Sequence, residues 1–210
     1  HTFTGPGTFT VTNSGSAPGS NTVDYLVLGG AGSGGGRYGG GGGAGGYRES
    51  PGTASGSYSV SPLGAAPATA LPVPEQAYPI TVGAGGAEPA TDSTPNPTGN
   101  QPGNRGSNSI FSTITSTGGG SGASQGYEGP GPAYNGGSGG GAGHTGPAGN
   151  GNTPSVNPAQ GTDGGTGVGA ANYMAGGGGG ATVAGTNAPP SGGGAGGAGA
   201  TSSINGTPTT

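Results

Sequence analysis

Apolar and polar residues alternate with a period of two in five short stretches of this chain, and no window of about 11 residues shows the helical period. At the N-terminus, His1–Thr12 (HTFTGPGTFTVT) sets Phe3, Phe9 and Val11 among threonines around a Gly-Pro-Gly turn, a hairpin signature. Thr22–Leu28 (TVDYLVL) is the most apolar run and stops at Gly29. Ser57–Val60 (SYSV), Tyr78–Val82 (YPITV) and Asn108–Thr117 (NSIFSTITST) complete the set. Read as one strand, the last puts Ile110, Ser112 and Ile114 on one face and Phe111 and Thr113 on the other. The pattern predicts an all-β chain. Pro62–Gln76, Ala87–Ser107 and Gly143–Asp163 read as long surface loops.

Glycine fills most of the remainder. The 210 residues include 60 glycines and 20 prolines, and the glycines come in runs: Gly34–Gly36, Gly39–Gly43, Gly118–Gly120, Gly139–Gly141, Gly176–Gly180 and Gly192–Gly194. Such a composition without a strict period is ordinarily a mark of disorder. The strand motifs argue against a flexible linker, which rarely alternates with β-strands in one unit. Collagen demands glycine at every third residue, and Gly151 breaks that register after Gly143, Gly146 and Gly149. A third arrangement is a stack of polyglycine-II helices, rods of about 3.1 Å rise per residue without internal hydrogen bonds. Their N–H and C=O groups must pair laterally. The fold expected is therefore a small antiparallel β-sandwich combined with packed polyglycine-II helices, without α-helix. Residues 1–117 form the strand-rich part and 118–210 the glycine-run part of one compact unit. Ser203-Ile204-Asn205-Gly206-Thr207 faintly repeats the Asn108-Ser109-Ile110 opening, and a strand followed by another glycine run is expected beyond Thr210. With His1 at the start and a motif interrupted at Thr210, the expectation is a segment of a longer or processed chain.

Composition narrows the function. Apolar residues are only 26% of the chain, too few for a conventional core of this length. Lysine is absent, and Arg37, Arg48 and Arg105 cannot form a phosphate-binding stripe, so nucleic acid is not an expected partner. The net charge is −4, cysteine is absent, and no apolar run is long enough to span a membrane as a helix.

The succession TFTGPGTFTV, VDYLVLGGAGSGGG, YPITVGAGG and SNSIFSTITSTGGG, followed by further glycine runs, closely resembles the glycine-rich domain of bacteriophage tail fibres and related virion appendages, especially those of phages of marine bacteria. The resemblance covers nearly the whole chain. It implies an extracellular virion location and a structural or receptor-binding role, with other virion proteins and a host cell-surface glycan or protein as partners. It also implies packed polyglycine-II layers whose connecting loops touch the host, and a homotrimer as phage fibres commonly form. It brings no catalytic residue, metal or cofactor. A capsid-attached fibre or decoration protein is the nearest alternative, and a secreted cellular glycine-rich filament protein a more distant one.

The chemistry-bearing residues fit a non-enzymatic role. His1 and His144 have no partner at metal-ligand spacing, and His144 reads as a solvated loop residue. The seven carboxylates are dispersed. Gly29-Gly30 lacks the following helix that a dinucleotide loop requires. Tyr25, Tyr58 and Tyr78 lie in predicted strands, whereas Tyr38, Tyr47, Tyr127, Tyr134 and Tyr173 lie among glycines. The latter either flank glycine layers or stack on host sugars or proteins, because tyrosine offers contact area at low entropic cost. The segment SQGYEGPGPAY (124–134) is the first choice for a host contact, through Tyr127, Glu128 and Tyr134.

Overall fold

The computed structural model describes residues 1–15, 21–54, 58–64, 69–89, 101–124, 134–144, 146–169 and 173–206. Among them all strand pairing is antiparallel, and the single helical turn is of 3-10 type, at Pro62–Gly64. The strands are β1 Gly7–Thr10, β2 Thr22–Val23, β3 Leu26–Leu28, β4 Tyr47–Glu49, β5 Leu71–Pro72, β6 Ala77–Thr81, β7 Ser109–Phe111 and β8 Ile114–Ser116. One sheet has the order β1-β6-β7-β8, and the pairs β2-β5 and β3-β4 complete the set. The chain is all-β.

Four local readings change. The N-terminal hairpin does not form, because β1 pairs with β6 (Phe9 opposite Tyr78) while the Phe3 ring folds back towards Gly7. Asn108–Thr117 is two strands, with a turn at Ser112-Thr113 that puts Ser112 at φ +53° and Phe111 opposite Ile114. A polar Ser-Thr pair satisfies an alternating pattern and a tight turn equally well, which is why pattern alone joins the two. Residues 58–60 are not a strand. Finally, the 62–76 segment is not a surface loop throughout, since Leu71 and Val73 are buried.

The apolar core is small. Tyr25, Leu71, Val73 and Tyr78 are buried together, and Phe9, Val27, Phe111 and Ile114 pack on them. Phe111 meets Phe9 and Tyr78 edge-on, with centroids 5.9 and 6.0 Å away, the arrangement that aromatic quadrupoles favour. A second cluster joins Tyr47 of β4 to Ala181 and Ala200. Burial pushes the Tyr47 hydroxyl up to about 12. With the folded value above the unfolded one of about 10, this group's contribution to stability is complete below about pH 10 and is lost as pH rises towards about 12. Thermal melts across that window should therefore fall for the wild type, and the fall should be shallower for Tyr47→Phe. Equal slopes would dismiss Tyr47 as its source.

Beyond the strands the glycine runs continue as rods with a different period. The β3-β4 pair ends at Leu28 opposite Tyr47. Its pairing then carries on as Gly29 N–H to Gly46 O, Gly32 to Gly43 and Gly35 to Gly40, at 2.9, 2.9 and 3.0 Å. Every third residue now faces the same neighbour. Between these, Gly30, Ser33 and Gly36 donate to Ser107, Asn104 and Gln101. The same step of three links Gly40 and Gly43 to Ala123 and Gly120, and Gly41 and Ala44 to Gly176 and Gly179. It recurs for Gly139 and Ala142 on Thr162 and Gly165, and for Gly194 and Gly197 on Ala175 and Gly178. Rods from either side of residue 117 are thus interleaved, so the strand-rich and glycine-run parts share one lattice.

Such a lattice requires bare backbone. At Gly32, Gly40, Gly42, Gly122, Gly140 or Gly178 an added Cβ would come within 3.0 Å of a neighbouring rod's main chain. In glycine that space holds a hydrogen directed at a carbonyl, so Cα–H···O contacts supplement the N–H···O bonds. The few buried side chains at the base of the rods serve the same pairing. Gln160, fully buried, accepts from Thr117 N–H through Oε1 at 2.9 Å and donates through Nε2 to Pro154 O at 3.0 Å. Ser138 Oγ lies 2.8 Å from both Gly45 O and Gly180 O.

Candidate functional site

The parallel register of two rods brings their leading residues level. Gly41 donates to Gly176, so the residues three positions earlier, Tyr38 and Tyr173, emerge side by side at one end of the lattice. Their rings stack with centroids 5.0 Å apart and planes 27° from parallel. Rod 139–143 runs antiparallel to rod 176–180, since Gly176 and Gly179 donate to Ala142 and Gly139, so His144 exits at the same end. Its ring lies 5.1 Å from that of Tyr173. Arg37, one of three arginines in the chain, sits with its guanidinium carbon 5.7 Å from the Tyr38 ring centre, within cation–π range.

Local energetics sets this group apart. Tyr38 and Tyr173 remain 48% and 43% exposed although they are large rings. Both have left-handed backbone, φ +52° and +48°, in a chain with glycine on hand for such positions. A bulky residue there costs on the order of 1–3 kcal/mol. Beside them His144 Nδ1 is buried and hydrogen-bonds to no described residue. Buried polar atoms are nearly always satisfied, and leaving one unpaired costs about 1–3 kcal/mol. Three departures from stability thus meet at one exposed aromatic surface, as happens where function opposes stability.

The residues singled out from the sequence fare differently. Tyr134 is only 2% exposed, held at the lattice where its carbonyl accepts from Gly140 at 2.8 Å. A contact role for its ring is incompatible with that burial. Tyr127 and Glu128 lie outside the described residues, although Ala123, which accepts from Gly40, places neighbouring Ser124 at the tyrosine end of the lattice. His144 is not a solvated loop residue but a partly buried ring against Tyr173. Tyr47, read as lying among glycines, is a buried β4 residue.

No three His, Cys, Asp or Glu side chains gather in metal-binding geometry among the described residues. The most conspicuous acid is Glu49, 2% exposed. Its Oε2 accepts from Ser61 N–H at 2.9 Å, Ser61 Oγ at 2.5 Å and Tyr47 OH at 3.1 Å, and its Oε1 from Ser202 Oγ at 2.5 Å. These donors enclose the carboxylate and make it a structural clamp.

A family model described as a glycine-rich domain matches residues 3–210. No curated protein and no solved structure matches the chain.

Proposed function

Since the chain belongs to the glycine-rich domain family, we propose that it is a non-enzymatic, receptor-binding domain of a bacteriophage tail fibre, carried on the virion and touching the host through the Tyr38–Tyr173 end of its lattice. The phage setting rests on the resemblance of the four strand-and-glycine motifs. The three-residue step of the lateral hydrogen bonds supports polyglycine-II geometry for the rods, which have three residues per turn in that form. Most of their backbone groups are spent on one another and they carry almost no side chains, so recognition of a host ligand falls to the residues where rods end.

The observation that carries the contact reading is the half-exposed, stacked tyrosine pair held in strained backbone. Flat aromatic rings flanked by a cation present the apolar face and polar rim on which a sugar ring can lie. A host surface glycan is therefore the ligand class assigned. Tyr127 and Glu128 stay candidate contacts on sequence grounds.

Tyr38→Gly and Tyr173→Gly separate function from stability. Glycine relieves the left-handed strain but removes the stacking, so thermal stability should stay within about 1 kcal/mol of wild type. Binding to an array of bacterial lipopolysaccharides and capsular polysaccharides should be lost in both variants. Wild-type binding that survives both substitutions would move the contact elsewhere. No wild-type binding to any member would leave a purely structural role as the better reading.

A further inference from the structure

A trench of about 400 Å³ runs along the lattice between the rods of residues 39–44, 175–179 and 193–197. Clefts for small molecules are lined by apolar and aromatic side chains with a few polar groups. This one is lined by glycine and three alanines, and offers only main chain.

The step of three identifies which main-chain groups it offers. In rod 39–44, Gly40 and Gly43 donate to one neighbour and Gly41 and Ala44 to another, leaving Gly39 and Gly42. In rod 175–180, Gly176 and Gly179 serve one neighbour and Gly177 and Gly180 a second, leaving Ala175 and Gly178. On the third wall Gly194 and Gly197 donate to rod 175–180, leaving Gly193 and Gly196. All six residues left over line the trench. None of their N–H groups donates to a described residue, and Gly193 and Gly196 use neither N–H nor C=O. Three rods thus turn their unused third face to one channel.

We infer that this trench, which no described residue fills, is a rod position that takes a glycine rod from a second copy of the chain. Only a segment of glycine and alanine with a bare contact face can come as near as the rods already do, with N···O distances of 2.7–3.1 Å across most of the lattice. The chain supplies such a segment at its own surface. Residues 193, 195, 196, 198 and 199, all glycine or alanine, are exposed. That edge rod is also one wall of the trench. Two copies related by a twofold axis would each lay rod 192–199 into the other's trench, an isologous contact that closes at a dimer. The physics is that of a strand added to a sheet edge, transferred to a threefold rod.

Valines at Gly193 and Gly196 test this without touching the lattice. A Cβ there would have as its nearest neighbours Ala175 O at 3.7 Å and Gly178 O at 3.9 Å, ordinary contact distances. Gly5→Val, with nothing within 4 Å of the new Cβ, is the control away from the trench. Sedimentation velocity over a concentration series should show the wild type and Gly5→Val as dimers dissociating on dilution. Gly193→Val and Gly196→Val should be monomers with unchanged melting temperature. In parallel, hydrogen exchange at the Gly42 and Gly178 amides should slow as wild-type concentration rises. A wild type that stays monomeric, trench variants that still dimerise, or amide protection independent of concentration would each overturn the proposal, the last assigning the trench to another segment of the same chain.

Discussion

Gly178→Val is expected to unfold the domain or to remove about 4 kcal/mol or more of its stability, whereas Gly85→Val should stay within about 1 kcal/mol of wild type. The two differ in what a Cβ meets. At Gly178 it would lie within 3.0 Å of the Gly42 carbonyl, which is main chain fixed between Gly41 and Gly43, whose amides donate to Gly176 and Gly120. At Gly85 the nearest atom is Ala31 O at 3.7 Å. Overpacking an ordinary core costs about 1–3 kcal/mol because side chains can shift to new rotamers. Here nothing has a rotamer to change, and rod separation must grow, weakening Gly41 N–H to Gly176 O and Ala44 N–H to Gly179 O together. Denaturant titration of both variants checks this. Equal midpoints would mean that the lattice does not carry the fold.

Glu49→Ala is expected to cost about 3 kcal/mol or more, and Glu49→Gln less, roughly 1–2 kcal/mol. The carboxylate faces only donors: one amide and the hydroxyls of Ser61, Ser202 and Tyr47. Alanine leaves all four groups facing a cavity. Glutamine keeps the shape but replaces one acceptor with a donor, which the hydroxyls can accommodate in part by rotation. Because Ser202 lies 153 residues away in sequence, the clamp also ties the C-terminal segment to β4. Limited proteolysis should therefore release that segment in Glu49→Ala before the rest unfolds. Glu75→Gln is the comparison, since Glu75 is exposed and the bond it accepts from Ser14 N–H is long, at 3.4 Å. If both substitutions had the same small effect, the clamp would be ornamental.

The strand alternation in the sequence located β3, β6 and the β7-β8 region, because half-buried strands impose a period of two on their residue types. The pairing of β1 with β6 was not legible. His1–Thr12 contains a turn signal, and only the tertiary partner Tyr78 outcompetes it. Lateral order in the glycine runs could be argued from run length and backbone satisfaction, yet the neighbour of each rod could not, since identical glycines carry no pairing information. The aromatic end was half legible. Tyr38 and Tyr173 closely precede the two five-glycine runs, Gly39–Gly43 and Gly176–Gly180, and that shared placement was the available signal. Their common height comes from the register of Gly41 on Gly176, which no local pattern encodes. Tyr134 resembles them in composition and is buried, because what separates the three is depth in the lattice.

The passage from a two-residue to a three-residue repeat at Leu28 and Tyr47 makes length a quantised quantity in this molecule. Inserting one or two residues in a rod would turn every later amide towards the wrong neighbour. Inserting three restores each donor to its former direction and advances the rod by about 9 Å at a rise of roughly 3.1 Å per residue. Paired rods must grow in concert, so their lengths drift rarely and in triplets, while the segments joining them are free of that arithmetic. A lineage built on this plan can exchange its tips quickly and its shafts hardly at all.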